Sequence, residues 1–139
     1  MDRLDDYVAF FERISLDRLG ELDALVVPDV RFKDPFNDLR GVENMRAALA
    51  MAFEHGTPRF EVIDRARGSH AAYLLWRYSH GPGFALEGMS EIRFAPDGRI
   101  AEHIDHWDSG AQFYARVPVL GWLIGLVRNR LRVRGGTSA

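Results

Sequence analysis

The segment Arg99–Asp108, RIAEHIDHWD, is the stretch whose reading decides the fold. A turn signal, Pro96-Asp97-Gly98, precedes it and Gly110 follows soon after, so the residues between read as a strand. Side chains on a strand alternate between two faces. Ala101, His103, Asp105 and Trp107 therefore share one face, and Ile100, Glu102, Ile104 and His106 the other. The first face sets an imidazole, a carboxylate and an indole in a row where a purely structural strand would carry aliphatic groups. If it points inward, it lines a pocket.

Upstream, the periodicities sort the chain into helices and then strands. Leu4, Tyr7, Val8, Phe11 and Ile14 keep helical spacing, which predicts a first helix over about Asp2 to Ser15. Asp17 can cap a short second helix carrying Leu19, Leu22 and Leu25, ended by Pro28. Val30–Lys33 alternates as a short strand that stops at Asp34, because Pro35 cannot continue an inner strand. Asn37–Gly41 reads as a loop into a third helix with a stripe of Val42, Met45, Leu49, Ala52 and Phe53. Beyond Pro58 the period changes to two. Four strands follow, joined by turns at Gly68-Ser69, His80–Gly83 and Pro96–Gly98. Leu74, Trp76 and Tyr78 share one face of the second of these. Phe84, Leu86, Gly88, Ser90, Ile92 and Phe94 share one face of the third. Successive hairpins imply an antiparallel meander, and helices grouped at one end of the chain imply an α+β fold. A curved sheet wrapped around the helices would leave a cone with an open mouth.

Composition narrows the class of function. A chain of 139 residues with 47% hydrophobic and 12% aromatic residues suits one soluble globular domain. A net charge of −2 gives no footprint for nucleic acid. The absence of cysteine excludes disulfides and thiol chemistry and fits a reducing cytoplasm, and the acidic start MDRLDDYVAF lacks the order of a signal peptide. A cytoplasmic location is the expectation. Val117–Val127 is apolar but broken by a proline and two glycines, and it is too short to span a bilayer.

Several motifs together resemble the nuclear-transport-factor-2-like superfamily, near its ketosteroid-isomerase and SnoaL-like branches. They are FKDPFN at 32–37 with Gly41 after it, the W-R-Y strand at 76–78, and APDGRIAEHIDHWD at 95–108. The resemblance covers residues 4 to about 117. It implies a cystatin-like cone with the His103/Asp105/Trp107 face inside. In the isomerases, the carboxylate before the proline of the matching motif is the general base, a position held here by Asp34. The resemblance puts Tyr7, or Phe10 on an ungapped alignment, at the oxyanion tyrosine. It puts Ser90 where the isomerases carry a protonated aspartic acid, a stronger donor than a hydroxyl. It also implies a homodimer formed through the convex face of the sheet.

Each candidate carries two readings. Asp34, between Phe32 and Phe36, is a base partly removed from water, or the opening residue of an Asp-Pro turn that caps a nearby amide. His103 and Asp105 form an acid–base pair or a satisfied polar cluster; two residues apart on a strand they lie about 7 Å apart and need not touch. Phe36, Trp76, Tyr78, Phe84, Leu86 and Trp107 line a ligand pocket or fill a core. No spacing supports a metal site and no cofactor is expected. His55, His70, His80 and His106 read as surface residues.

The apolar series from Phe113 to Leu131 offers a lid over the cone mouth and then an amphipathic helix. Its arginines, Arg128, Arg130, Arg132 and Arg134, make membrane contact conceivable, but docking on the cone or a second subunit is the expectation. The chain thus divides into a cone over 1–117, a helix over 118–134 and a tail over 135–139. Two functions remain in view: a cofactor-independent isomerase, dehydratase or cyclase acting on a small apolar molecule, with Asp34, His103, Asp105, Tyr7 and Ser90 as its polar groups, or a binding domain without chemistry. A third, a protein-interaction domain, would need an apolar patch on the convex face, against which Glu87, Glu91 and Arg93 argue.

Overall fold

Asp2 starts the first helix, its carboxylate accepting the amide of Leu4 at 3.3 Å. The structure is a computed structural model that describes residues 2–81, 83–112 and 118–131. The first helix, α1 (Arg3–Glu12), buries Leu4, Tyr7, Val8, Phe10 and Phe11. It ends before Ile14, where Arg13 leaves helical geometry. A 3₁₀ turn over Leu16–Glu21 and the single-turn α2 (Leu22–Leu25) follow.

Strand β1 (Val26–Lys33) begins four residues earlier than the alternation predicts and contains Pro28. Proline is tolerated there because the ladder to the neighbouring strand loses register between Val26 and Arg31, so no inner amide is missed at that point. The expected loop at 37–41 holds a short strand, β2 (Asp38–Arg40), antiparallel to β1. Gly41 then turns the chain at φ 96, a conformation that favours glycine, into α3 (Val42–Met51) and a 3₁₀ turn over Ala52–His55.

The meander consists of β3 (Pro58–Arg67), β4 (Ala72–His80), β5 (Ala85–Phe94) and β6 (Ile100–His106). Its last strand accepts β1 in parallel, giving one six-stranded sheet in the order β2-β1-β6-β5-β4-β3. The fold is α+β with a curved, unclosed sheet. Ion pairs of Asp2 with Arg67 and Asp5 with Arg65 (2.5 Å) tether α1 to β3. Glu12 accepts the amide of Val62 at 3.1 Å, next to a slip in β3 register between Val62 and Asp64.

A bulge corrects the strict alternation of β6. Glu102 pairs with Arg93 and Ile100 with Phe94, leaving Ala101 unmatched. The extra residue turns Ile100 inward, where it is 1% exposed and part of the core, rather than outward beside Ile104. His103 and Asp105 keep the positions opposite Ile92 and Ser90.

The chain falls into two compact units, Met1–Trp107 and Asp108–Ala139. The second contains the short α4 (Ser109–Gln112) and α5 (Pro118–Leu131), on which Trp122, Leu123, Leu126, Val127 and Leu131 are exposed. The expected lid over residues 113–117 and the tail past 131 lie outside the described residues. Among the described residues no helix is long and apolar enough to cross a membrane.

The bulge makes a contrast that denaturant unfolding can read. Ile100→Ala is expected to cost about 2–5 kcal/mol, the usual range for truncating a core aliphatic, and Ile104→Ala less than half of that. Equal losses would return Ile100 to the outer face.

Candidate active site in the concave face of the sheet

The polar centre of the molecule is a chain of hydrogen bonds that runs from α1 across the sheet. The Tyr7 hydroxyl lies 2.6 Å from Nδ1 of His103. On the other side of the ring, Nε2 lies 2.7 Å from Oδ1 of Asp105 and 3.2 Å from Oγ of Ser90. Ser90 donates to the same Asp105 oxygen at 2.5 Å and accepts the indole N–H of Trp76 at 2.8 Å. An ionised carboxylate can only accept, so with Asp105 charged Nε2 carries the hydrogen and Nδ1 accepts the Tyr7 O–H. Every donor in the chain then points toward Asp105. Its Oδ1 takes two hydrogen bonds, and Oδ2 has no hydrogen-bond partner among the described residues.

Local structure explains why these groups meet. The parallel pairing of β1 with β6 puts Phe32 beside His103. With Phe11 and Tyr7 it boxes the imidazole, at ring-centroid distances of 5.1, 5.4 and 5.7 Å respectively. His103 is 4% exposed and Ser90 2%. Tyr7 is fully buried, and loss of solvation, with the nearby Asp105 charge, raises its pKa well above the usual 10.0. The phenol stays protonated and serves as a donor. Phe10 is also buried, but it is Tyr7 whose hydroxyl meets the imidazole.

Two spaces border this chain. A cavity of about 60 Å³ is walled by Val8, Phe11, Phe32, Leu49, Phe60, Val62, Leu74 and Trp76, with Ser90, His103 and Asp105 as its polar floor. An open cleft of about 490 Å³ is lined by Lys33, Asp34, Pro35, Ile104, Asp105, His106 and Trp107. Asp105 borders both.

Asp34 lies on the cleft and not on the cavity. Its Oδ1 accepts the amides of Phe36 and Asn37, both at 2.8 Å, so its carboxylate closes the Asp-Pro turn. Phe36, 49% exposed, meets Trp107 edge-on at 5.5 Å, away from the cavity walls. Tyr78 and Phe84 cluster with His80 at the far end of β4 and β5, and Leu86 is buried in the core; none of the three walls the cavity. Of the six expected lining residues, Trp76 is the one that does.

Sequence reasoning missed the aliphatic and phenylalanine walls, which reach the cavity through tertiary pairing. It also passed over Gly88. This residue pairs directly with Trp76, and a Cβ there would stand 2.7 Å from the indole ring and 2.9 Å from the carbonyl oxygen of His106. The missing side chain is what lets the indole pack against the strand at that point. A lone glycine in the middle of a strand was the available signal.

The family model described as a SnoaL-like domain matches residues 7–103. No curated protein matches the sequence. Among solved structures, a proposed isomerase of the SnoaL-like family from Agrobacterium tumefaciens is 17% identical, with TM-score 0.65 over 76% of this chain and 94% of its own. A proposed polyketide cyclase from Sinorhizobium meliloti is 19% identical, with TM-score 0.63 over 75% and 93%. A steroid delta-isomerase from Pseudomonas aeruginosa is 19% identical, with TM-score 0.62 over 93% and 90%. At these identities the likeness is one of fold.

The buried phenol has a consequence at alkaline pH. Unfolded Tyr7 ionises near 10.0, whereas the folded residue holds its proton to higher pH, so unfolded chains bind fewer protons there and stability falls as pH rises past 10. The melting temperature of the wild type is expected to drop more steeply between about pH 9.5 and 11.5 than that of Tyr7→Phe. Tyr78, whose pKa burial also raises, supplies a residual slope in both. Parallel curves would remove Tyr7 from the titration.

Proposed function

The chain belongs to the SnoaL-like family, and from that premise we propose that it catalyses proton transfer on a small, mostly apolar carbonyl or hydroxyl compound, without a cofactor. The observation that carries this is the convergence of the Tyr7–His103 and Trp76–Ser90 pairs on one oxygen of Asp105, a residue that lines an apolar cavity and whose other oxygen has no hydrogen-bond partner among the described residues.

On this reading Asp105, rather than Asp34, moves the proton. Oδ2 takes hydrogen from a carbon next to the carbonyl and returns it elsewhere, giving isomerisation, dehydration or ring closure according to the substrate. His103 and Ser90 fix the carboxylate rotamer through Oδ1. When Asp105 is protonated it loses its charge and its hold on the Ser90 O–H and His103 N–H weakens. One of these donors is then free to face the developing oxyanion. Asp34 shapes the mouth of the cleft through its turn.

A second reading, a binding domain without chemistry, draws on the size of the cavity. About 60 Å³ is well below the 300–1,000 Å³ common for ligand pockets. Deuterium exchange beside the carbonyl of butanone, followed by proton NMR in heavy water, separates the two. The wild type is expected to accelerate exchange, Asp105→Asn to lose about 100-fold or more, and Asp34→Asn to stay within a few-fold. Loss in Asp34→Asn alone would restore the turn carboxylate as base. Butanone bound without exchange would favour the binding domain.

The same proposal includes a homodimer through the outer face of the sheet. Leu75 and Met89 pair across β4 and β5 and are 38% and 42% exposed. Beside them lie the ion pairs Arg77–Glu87 and Arg93–Glu91, an alternation of sign that can match itself about a two-fold axis. Sedimentation is expected to give a dimer for the wild type and a monomer for Leu75→Glu/Met89→Glu. A monomeric wild type would end this part of the proposal.

A further inference from the structure

Trp76 occupies space that a ligand would otherwise have. Its indole is 8% exposed, walls the cavity, and is pinned at both ends. The N–H is held by Ser90 at 2.8 Å, and the six-membered ring rests against the backbone of Gly88, where a Cβ would come within 2.7 Å. A ring held this way cannot swing away without giving up its hydrogen bond to the buried Ser90. The remaining cavity, about 60 Å³, has room for a few waters or a short carbon chain, whereas an apolar cavity of roughly 150 Å³ is one that takes benzene.

We infer that Trp76 is the specificity-determining residue of the Asp105 site, and that it restricts the substrate to short acyclic carbonyl compounds, excluding aromatic and fused-ring ones from the concave face. Gly88 is the positioning residue that seats it. The inference rests on the proposed proton-transfer function and adds the substrate class. It separates this chain from structural neighbours of its fold whose names are steroid delta-isomerase and polyketide cyclase.

The register makes the device specific. Trp76 faces Gly88, and Ser90, two residues on, shares the inner face with it, so indole, glycine and hydroxyl form one unit across β4 and β5. Replacing Trp76 enlarges the cavity next to Ser90 and Asp105, where a larger substrate would need the room.

The test compares exchange beside the carbonyl of two ketones, butanone and acetophenone, in the wild type, Trp76→Leu and Trp76→Phe. The quantity read is the ratio of the two rates, each divided by its rate in buffer, because both substitutions also remove the Trp76–Ser90 bond and change absolute rates. The wild type is expected to favour butanone strongly. Trp76→Leu should shift the ratio toward acetophenone at least about tenfold, with Trp76→Phe between them, and adding Asp105→Asn should abolish exchange of both. Two results would overturn the inference while leaving the proton-transfer function standing: a wild type that takes both ketones equally, or variants whose ratio does not move while butanone still exchanges. No exchange of butanone by the wild type would instead overturn the function, and this inference with it.

Discussion

The bond between the Tyr7 hydroxyl and the His103 ring joins the first helix to the last strand, and the concave face is arranged around it. Both groups are removed from water, so each would be costly without its partner. The bond fixes which ring nitrogen faces the carboxylate, and an ionised Asp105 then settles the imidazole tautomer, leaving Nδ1 to accept the Tyr7 O–H. It also constrains α1. That helix must lie across the sheet at the depth where residue 7 reaches residue 103, and the Asp2–Arg67, Asp5–Arg65 and Glu12–Val62 contacts hold it there from the rim. The rim pairs are exposed and individually weak. The apolar face of α1 and the buried Tyr7–His103 bond set the depth.

A second constraint is steric. β4 and β5 bring a tryptophan opposite a position with no side chain, and only that vacancy leaves room for its ring there. The bulge at Ala101 is a third constraint. It lets Ile100 close the core below His103 while His103 and Asp105 stay on the same inner face. Shifting a strand by one residue exchanges its faces, so one extra residue at the right place lets core and site share a strand.

The fold was legible because its signals are local. Helical spacing in α1 and α3, glycine-rich turns and period-two strands all survive without knowledge of partners. What failed was each place where a partner overrides the local pattern: Pro28 inside β1, the short β2 in an expected loop, and Ile100 turned inward. The site was legible to the extent that it lies on one strand. His103 and Asp105 stand two residues apart, and their shared face follows from alternation alone, but their direct bond does not. Side chains that need not touch at strand spacing are brought to 2.7 Å through their rotamers, with Ser90 and Tyr7 holding them. Asp34 illustrates the reverse. Its motif drew attention to it, yet the same Asp-Pro-Phe-Asn sequence is a sufficient recipe for a turn, and its carboxylate closes that turn.

The position of Asp105 between an apolar cavity and an open cleft bears on how a proton-transfer group must be placed. A carboxylate sealed wholly among apolar walls would have no route to exchange its proton with water between turnovers. One fully in the cleft would compete with water for every contact and lose the electrostatic advantage of a low-dielectric site. Asp105 meets both demands, bound through Oδ1 to the buried Ser90 and His103 while its residue also borders the cleft. The narrowness of the cavity adds a reason for the arrangement. A short chain beside Trp76 meets Asp105 at the polar floor of the cavity, while the same residue borders the open cleft on its other side.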